Sequence, residues 1–143
     1  MKTLVLLFFS SSILNAQVTS DFGQTVVSLR SQNALMFNSV SDLKTQCLVI
    51  DQVVESKKLQ LQQLLQVTQT LASQVDPQSS QAKSLALVSQ NYKNATQILD
   101  WAKVDCQNGL SRAALLSEVY HTQNDTELMV LQYGVGPDLK KIN

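Results

Sequence analysis

The sequence predicts an all-α protein: an antiparallel helical hairpin, stapled by one disulfide, within a bundle of about four helices. Three observations favour this fold class. Apolar residues recur at alternating spacings of three and four along two long segments, as they do on the buried seam of a helix. Pro77, the only proline before Pro137, lies between these segments. The two cysteines, Cys47 and Cys106, lie at nearly equal distances from that proline along the chain.

The chain begins with a pattern typical of a secretory signal peptide. Lys2 precedes an apolar run over residues 4–9, and small and polar residues follow as far as Ala16. The run is shorter than the ~20 residues that a membrane-spanning helix needs, and no later stretch is apolar enough to span. We therefore expect residues 1–16 to be a cleaved signal peptide and residues 17–143 to form one secreted domain. A buried N-terminal helix is the alternative.

A first helix is predicted upstream of the hairpin from a stripe of apolar residues that Asn33 interrupts. Ser39 and Asp42 then match a pair of residues that cap a new helix reciprocally. We expect a break or kink near residue 39, and one unbroken helix from Gly23 to Val75 is the alternative. The stripe consists of Phe22, Val26, Leu29, Met36 and Phe37.

Two seams predict the helices of the hairpin. In the first seam only Lys57 and Thr68 are not apolar. Its positions are Val40, Leu43, Cys47, Ile50, Val54, Lys57, Leu61, Leu64, Thr68, Leu71 and Val75. The second seam consists of Leu85, Val88, Tyr92, Ala95, Leu99, Ala102 and Cys106.

The stretch between the seams has the residues of a corner. Pro77 disfavours helical geometry at Asp76, and its own ring would clash inside a helix. Ser79 or Ser80 can accept hydrogen bonds from the free N–H groups at the start of the next helix. The first helix of the hairpin should therefore end near Asp76, and the second should begin near Ser80.

The cysteines agree with this corner. In an antiparallel hairpin the numbers of facing residues add to a nearly constant value. Cys47 and Cys106 add to 153, which places the centre between Asp76 and Pro77. A disulfide is expected for two cysteines in a secreted chain, and free thiols or a bridge to another chain are the alternatives.

The same register tests the seams against each other. It places Leu61 opposite Tyr92, and Lys57 next to the small Ala95. There the stem of Lys57 can pack on the neighbouring helix while its amine reaches water. Two seams that were identified separately thus agree with the pairing of the cysteines.

A fourth helix is predicted after the hairpin. Gly109 is expected to end the helix that carries Cys106, and Ser111 is expected to cap the next one. The stretch 124–127 offers a second cap that would interrupt this last helix. From about residue 134 the chain is expected to be a loose tail. The apolar stripe of the last helix consists of Ala113, Leu116, Val119, Tyr120, Leu128 and Leu131.

Three residues are candidates for sites on the surface. Asn94 and Asn124 each begin an Asn-x-Thr glycan acceptor pattern, so both are expected to face solvent and the chain to be a glycoprotein. Trp101 lies on the outer side of its helix, where it is either a half-exposed core residue or an anchor for a partner.

Catalytic and metal-binding patterns are weak. Glu118 and His121 have the spacing used in di-iron bundles, but the chain has no second histidine to complete such a site. Asp125 would add only a third surface ligand. No Gly-x-Ser-x-Gly motif is present, and the disulfide would use both cysteines. We therefore expect no enzyme activity, no metal and no cofactor.

The charge of the chain bears on its partners. Without Lys2 the secreted part has ten basic and 11 acidic residues, a net charge of −1 that does not favour nucleic-acid binding. We expect a non-enzymatic extracellular module that interacts with another protein or forms a dimer through apolar stripes of its first and fourth helices. The alternative is a carrier of a small apolar ligand or lipid held between the helices, where Ala95 and Ala102 leave room.

Overall fold

The computed structural model describes residues 18–37 and 47–133, which form four α-helices and, within these ranges, no strand. The all-α class is confirmed. The predicted signal peptide, the cap at Ser39 and Asp42, the seam positions Val40 and Leu43, and the predicted tail lie outside the described residues. The helices are α1 (Val18–Phe37), α2 (Ile50–Ala72), α3 (Ser80–Val104) and α4 (Cys106–Tyr133).

Consecutive helices pack side by side, and α4 closes the ring by packing on α1. The contact between α1 and α2 is the smallest of the four. On α1, Arg30 pairs with Asp125 and Asn33 with His121, so residue numbers rise along α1 as they fall along α4. The order of the helices around the bundle therefore follows their order in the sequence, with alternating directions.

The hairpin of α2 and α3 has the predicted register. Cys47 and Cys106 form a disulfide with their Cα atoms 5.7 Å apart. Two ion pairs flank the seam, from Lys58 to Asp100 and from Lys103 to Glu55, each at 2.8 Å. Their residue numbers add to 158, close to the 153 of the cysteines. The buried seam residues are Val54, Leu61, Leu64, Thr68, Leu71, Leu85, Val88, Tyr92, Ala95, Leu99 and Ala102.

The corner between α2 and α3 forms around Pro77 as predicted, and α3 begins at Ser80, but α2 ends at Ala72, four residues before the predicted end. Ser79 is the N-cap of α3: its Oγ accepts a hydrogen bond from the N–H of Ala82 at 3.2 Å and donates one to the carbonyl oxygen of Asp76 at 2.5 Å. The carboxylate of Asp76 accepts from the N–H of Gln78 at 3.0 Å. Pro77 therefore lies in a turn whose polar groups are used locally.

The contact between Lys57 and Met36 decides between one helix and two before the corner. The amine of Lys57 lies 3.4 Å from the carbonyl oxygen of Met36. In one straight helix, 21 residues would separate these positions by ~30 Å. The alternative of an unbroken helix from Gly23 to Val75 is therefore wrong, and α1 and α2 are separate elements.

The corner between α3 and α4 differs from the prediction. The last helix begins at Cys106, and Gly109 lies inside it. At the corner, Asp105 has extended backbone geometry, and its carboxylate accepts from the N–H of Asn108 at 3.2 Å. The predicted helix end at Gly109 and the cap at Ser111 are therefore wrong, because Asp105 already supplies both the break and the cap.

Gly109 is needed for a close approach of helices. A Cβ atom on this residue would lie 2.4 Å from the Cα and 2.6 Å from the backbone nitrogen of Ala102. Such distances are well inside van der Waals contact, so only a glycine lets α4 come this near to α3 at the corner. A glycine is therefore required at position 109, but for close packing of two helices and not for the predicted helix end.

The interruption predicted at residues 124–127 is absent, since α4 runs through it to Tyr133. The polar groups there bond to neighbouring helices: Asn124 accepts from Asn91, Asp125 pairs with Arg30, and Glu127 accepts from Ser84. They are therefore not used as a cap. Val119, part of the predicted apolar stripe of this helix, is exposed.

The two described glycines give a matched pair of substitutions. Gly109→Ala should lower the free energy of unfolding by about 1–3 kcal/mol, because the added methyl group overpacks the corner. Gly23→Ala should raise it by up to about 1 kcal/mol, because nothing lies within 4 Å of the added atom and alanine favours the helix. Urea denaturation of both variants measures this, and equal effects of the two changes would contradict the packing role of Gly109.

Candidate functional site

Trp101 and Arg112 form an exposed pair at the corner between α3 and α4. Trp101 lies in the last turns of α3 and is 46% exposed. The guanidinium carbon of Arg112 lies 4.2 Å from the centroid of the indole ring, within the range of a cation–π contact. The turn at Asp105 and the close approach at Gly109 bring these two residues together, so the backbone of the corner fixes their arrangement.

Exposure to solvent varies along the side of α3 that carries Trp101. Ile98 is buried, whereas Leu87 is 41% exposed. Asn94 is half-buried, and its side-chain oxygen accepts from Gln90 at 3.0 Å. Ile98 lines a cavity together with residues of α4, among them Leu110 and Ala113. On this face, Trp101 and Leu87 are therefore open to solvent.

A small apolar cavity lies between all four helices. Its volume is about 30 Å³, and its lining includes Met36, Lys57, Ala95 and Tyr120. A dry cavity that binds benzene is ~150 Å³. The cavity therefore has room for one or two water-sized groups, and a lipid would require the helices to move apart. Ala95 and Ala102 were both predicted to leave room for a ligand. Ala95 lines this cavity, and Ala102 is not among its lining residues.

Lys57 lies at this cavity and contacts the end of α1. Its amine donates to the carbonyl oxygen of Met36, in the last turn of α1, where that helix has no basic residue of its own. Cations at a helix C-terminus satisfy free carbonyls and interact favourably with the helix dipole. Lys57 is half-buried, and desolvation lowers the pKa of its amine.

A layer of polar side chains crosses the middle of the bundle. Asn91 donates to the side-chain oxygen of Asn124 at 2.6 Å, and the side-chain nitrogen of Asn33 lies 3.3 Å from Nδ1 of His121. Both His121 and Asn124 lie on the side of α4 that faces the core. Burial also raises the pKa of the hydroxyl of Tyr92, the residue next to Asn91. We call Asn33, Asn91, Tyr92, His121 and Asn124 the polar layer.

Three atoms of the polar layer have no hydrogen-bond partner among the described residues: Oδ1 of Asn33, the hydroxyl of Tyr92 and Nδ2 of Asn124. A buried polar group without a partner costs roughly 1–3 kcal/mol. The interior of the bundle is thus less stable than an all-apolar interior of the same shape would be. Sequence reasoning noted Asn33 only as an interruption of a stripe.

The burial of Asn124 corrects the prediction that both acceptor asparagines face solvent. Asn124 is fully buried, and its amide is part of the polar layer. A glycan attached to this nitrogen would have to displace part of the core that buries it. Asn94 lies on the outer side of α3 and keeps partial access to solvent, so glycosylation there stays a prediction.

The three residues of α4 that were considered as possible metal ligands make separate contacts. His121 faces Asn33, and Asp125 accepts from Nε of Arg30 at 3.1 Å. Glu118 is exposed. Within residues 18–37 and 47–133, no group of three or more His, Cys, Asp or Glu residues is arranged to hold a metal ion.

A feature that sequence reasoning missed is the outward side of α4. Six exposed, uncharged residues follow the spacing four, three, four, three, four along this side of the helix. Such a spacing keeps them on one stripe, opposite the seam that faces the core. The signal was present in the sequence, but the inner seam of the same helix obscured it. We call this stripe the α4 outer face: Leu115, Val119, Thr122, Thr126, Met129 and Tyr133.

Comparison of the chain with known proteins and structures found no relative. No protein-family model, curated protein or solved structure matches the chain. Among the helices of the described residues, none has the length and apolar character to cross a membrane.

The burial of Asn124 predicts where a glycan can be attached. In protein secreted from eukaryotic cells, Thr96→Ala should remove the glycan mass, because it destroys the acceptor pattern of Asn94. Thr126→Ala should leave the mass of the glycan unchanged, because we expect no glycan on the fully buried Asn124. Intact mass spectrometry before and after enzymatic glycan removal measures both, and a loss of glycan mass in Thr126→Ala would contradict the burial of Asn124.

The desolvated amine of Lys57 predicts a pH dependence. At neutral pH the amine is charged in the folded and unfolded states, and folding carries the full cost of desolvating it. As the pH rises through the lowered pKa of the folded state toward the ordinary 10.5, the folded amine loses its proton first. The unfolded state then binds more protons, so stability rises with pH.

Comparison with Lys57→Met isolates this effect. The free energy of unfolding of the wild type, minus that of Lys57→Met, should increase from neutral pH to about pH 10. Urea denaturation at each pH measures the difference, in which the titration of the other groups largely cancels. A difference that stays constant over this range would show that the amine is not desolvated.

Proposed function

We propose that the protein is a secreted, non-enzymatic helical module that acts by binding another protein. The observation that carries this proposal is the exposed pair of Trp101 and Arg112, held at a corner that the disulfide and Gly109 stabilise. Tryptophan and arginine are the residue types most enriched where a few side chains dominate the energy of an interface. Because the corner already fixes the pair, little conformational freedom is lost when a partner binds.

Secretion is supported by two independent features. The N-terminal residues 1–16 have the pattern of a signal peptide. The two cysteines form a disulfide, a bond that persists in oxidising compartments outside the cytosol. An accessible acceptor asparagine at position 94 agrees with passage through such a compartment.

A second candidate function, a carrier of a small apolar ligand, is supported by the cavity between the four helices. Residues from each helix line it, so a modest separation of α1 from the hairpin would enlarge it. The small contact between α1 and α2 makes this the natural place for an opening. The size of the cavity favours the interaction module over the carrier.

The interaction module is tested with Trp101→Ala and a matched control, Val104→Ala. Both residues are exposed apolar side chains at the same end of α3, but only Trp101 stacks on Arg112. Wild-type protein and both variants are immobilised and used to capture proteins from the extracellular fluid of the source tissue. A partner that binds the wild type and Val104→Ala but not Trp101→Ala is the expected result, and capture that is independent of Trp101 would contradict the proposal.

The stability of Trp101→Ala keeps this test interpretable. We expect the substitution to lower the free energy of unfolding by about 1–2 kcal/mol, less than the ~3–5 kcal/mol of a fully buried aromatic residue, because the ring is only half covered. Thermal unfolding by circular dichroism checks that the variant is folded during the capture experiment.

Native mass spectrometry of the secreted protein tests the carrier, since a bound lipid or apolar molecule would add mass that denaturation releases.

A further inference from the structure

The α4 outer face is an exposed, uncharged stripe that runs along one side of the helix. Its four apolar residues are exposed by 41% to 71%: Leu115, Val119, Met129 and Tyr133. Thr122 and Thr126 lie between them, and both threonine hydroxyls donate to carbonyl groups of their own helix. The face therefore presents methyl groups at its centre and larger apolar side chains toward both ends.

The charged residues of α4 avoid this face. Between Leu115 and Tyr133 the charged residues are Glu118, Asp125 and Glu127, all of which lie on the flanks or toward the core. Arg112 precedes the face by one turn and is stacked on Trp101. A stripe of about 27 Å on the surface of the helix is therefore free of charge.

The spacing of the face is that of a coiled-coil seam. Since α4 already uses its opposite side for the core of the bundle, the helix carries two such seams. A seam of this kind packs on another helix with the same spacing, and no described helix of the chain covers it. The simplest helix that matches it in length, spacing and polarity is the same helix of a second copy.

We propose that two copies of the protein associate through their α4 outer faces, with the helices antiparallel about a two-fold axis near Asn124. This proposal goes beyond the interaction module proposed above, whose partner binds at Trp101, and assigns the α4 outer face to a second copy of the chain. In this arrangement Leu115 meets Tyr133 of the second copy, Val119 meets Met129, and Thr122 meets Thr126. Large apolar residues thus meet large ones, and the threonines meet at the centre.

The antiparallel direction follows from the charges at the ends. Parallel helices in register would place Arg112 of one copy beside Arg112 of the other, and the like charges would repel each other. Antiparallel helices separate these residues by the length of the face. Asp125 then lies near the two-fold axis, but its carboxylate is already paired with Arg30 of the same copy.

The flanks also distinguish a second copy from a membrane. Helices that lie on anionic membranes carry lysine and arginine beside their apolar face. The α4 outer face is flanked by the acidic residues Glu118 and Asp125, and α4 contains no lysine. Its surroundings therefore favour a protein surface over an anionic lipid surface.

The association is tested by sedimentation equilibrium on the mature, disulfide-bonded protein. The wild type should have twice the mass of one chain at micromolar concentration. Val119→Glu combined with Met129→Glu should weaken the dimer by roughly a hundredfold or more, because the carboxylates would be buried without partners. The matched control is Leu59→Glu, an exposed leucine on α2 outside the face, which should leave the dimer intact.

Several results would overturn the proposal: a monomeric wild type, a dimer that survives the double substitution, or a dimer that Leu59→Glu also abolishes. Thermal unfolding of the double variant checks its fold, and Val119→Ser combined with Met129→Ser is the milder replacement if it is unfolded. Cosedimentation of monomeric wild type with phosphatidylcholine–phosphatidylserine vesicles, lost in the double variant, would assign the face to a membrane instead.

The direction of the helices is tested by cross-linking. A mixture of Val119→Cys and Met129→Cys proteins should form mixed disulfide dimers faster than either variant alone, because these positions meet only between antiparallel helices. Faster cross-linking of each variant with itself would overturn the antiparallel arrangement.

A monomeric wild type that still captures a partner through Trp101 would refute the dimer alone, whereas a dimer without Trp101-dependent capture would refute only the Trp101 anchor.

Discussion

The Cys47–Cys106 disulfide is the constraint on which the arrangement of the helices depends. Cys106 is the first residue of α4 and follows the end of α3 by two positions, while Cys47 precedes α2 by three. One covalent bond therefore holds three helix ends at the same end of the bundle. Closing a loop of this length stabilises the fold by ~4 kcal/mol in the chain-entropy model. It also fixes the register of α2 against α3, so that the seams of the hairpin meet apolar side to apolar side and the flanking ion pairs can form.

The position of α4 is also determined by contacts at the end of the bundle that carries the disulfide. The bond holds Cys106 beside α2, and Gly109 lets the next turn approach Ala102 until their backbones are in contact. This close approach places Arg112 over Trp101. The exposed pair that we propose as a binding surface is thus a consequence of how tightly the chain turns from α3 into α4, and not of the two side chains alone.

The hairpin could be predicted from the sequence because three independent signals report the same register: two seams and one pair of cysteines. The corner from α3 to α4 could not, because a glycine at a helix end and a glycine at a close contact give the same local signal. The stretch 124–127 failed for a related reason. Its residues have the types of a cap, but Asn124 and Asp125 bond to Asn91 and Arg30, and the sequence does not show which partners are near. Trp101 was identified as a candidate, whereas its stacking on Arg112 depended on the unpredicted turn.

The polar layer accounts for a choice that apolar packing leaves open. Because α4 carries apolar residues on two opposite sides, burial of apolar surface alone does not strongly decide which side faces the core. His121 and Asn124 lie only on the inner side, where they meet Asn33 and Asn91. Turning the outer face inward would bury threonine and leucine in their place and leave both asparagines of the other helices without partners, at ~1–3 kcal/mol for each buried group. We therefore interpret the layer as a device that specifies the orientation of α4, as single buried polar residues do in coiled coils. The atoms of the layer that lack hydrogen-bond partners reduce stability. The layer as a whole keeps the α4 outer face toward solvent, where a second helix can bind it.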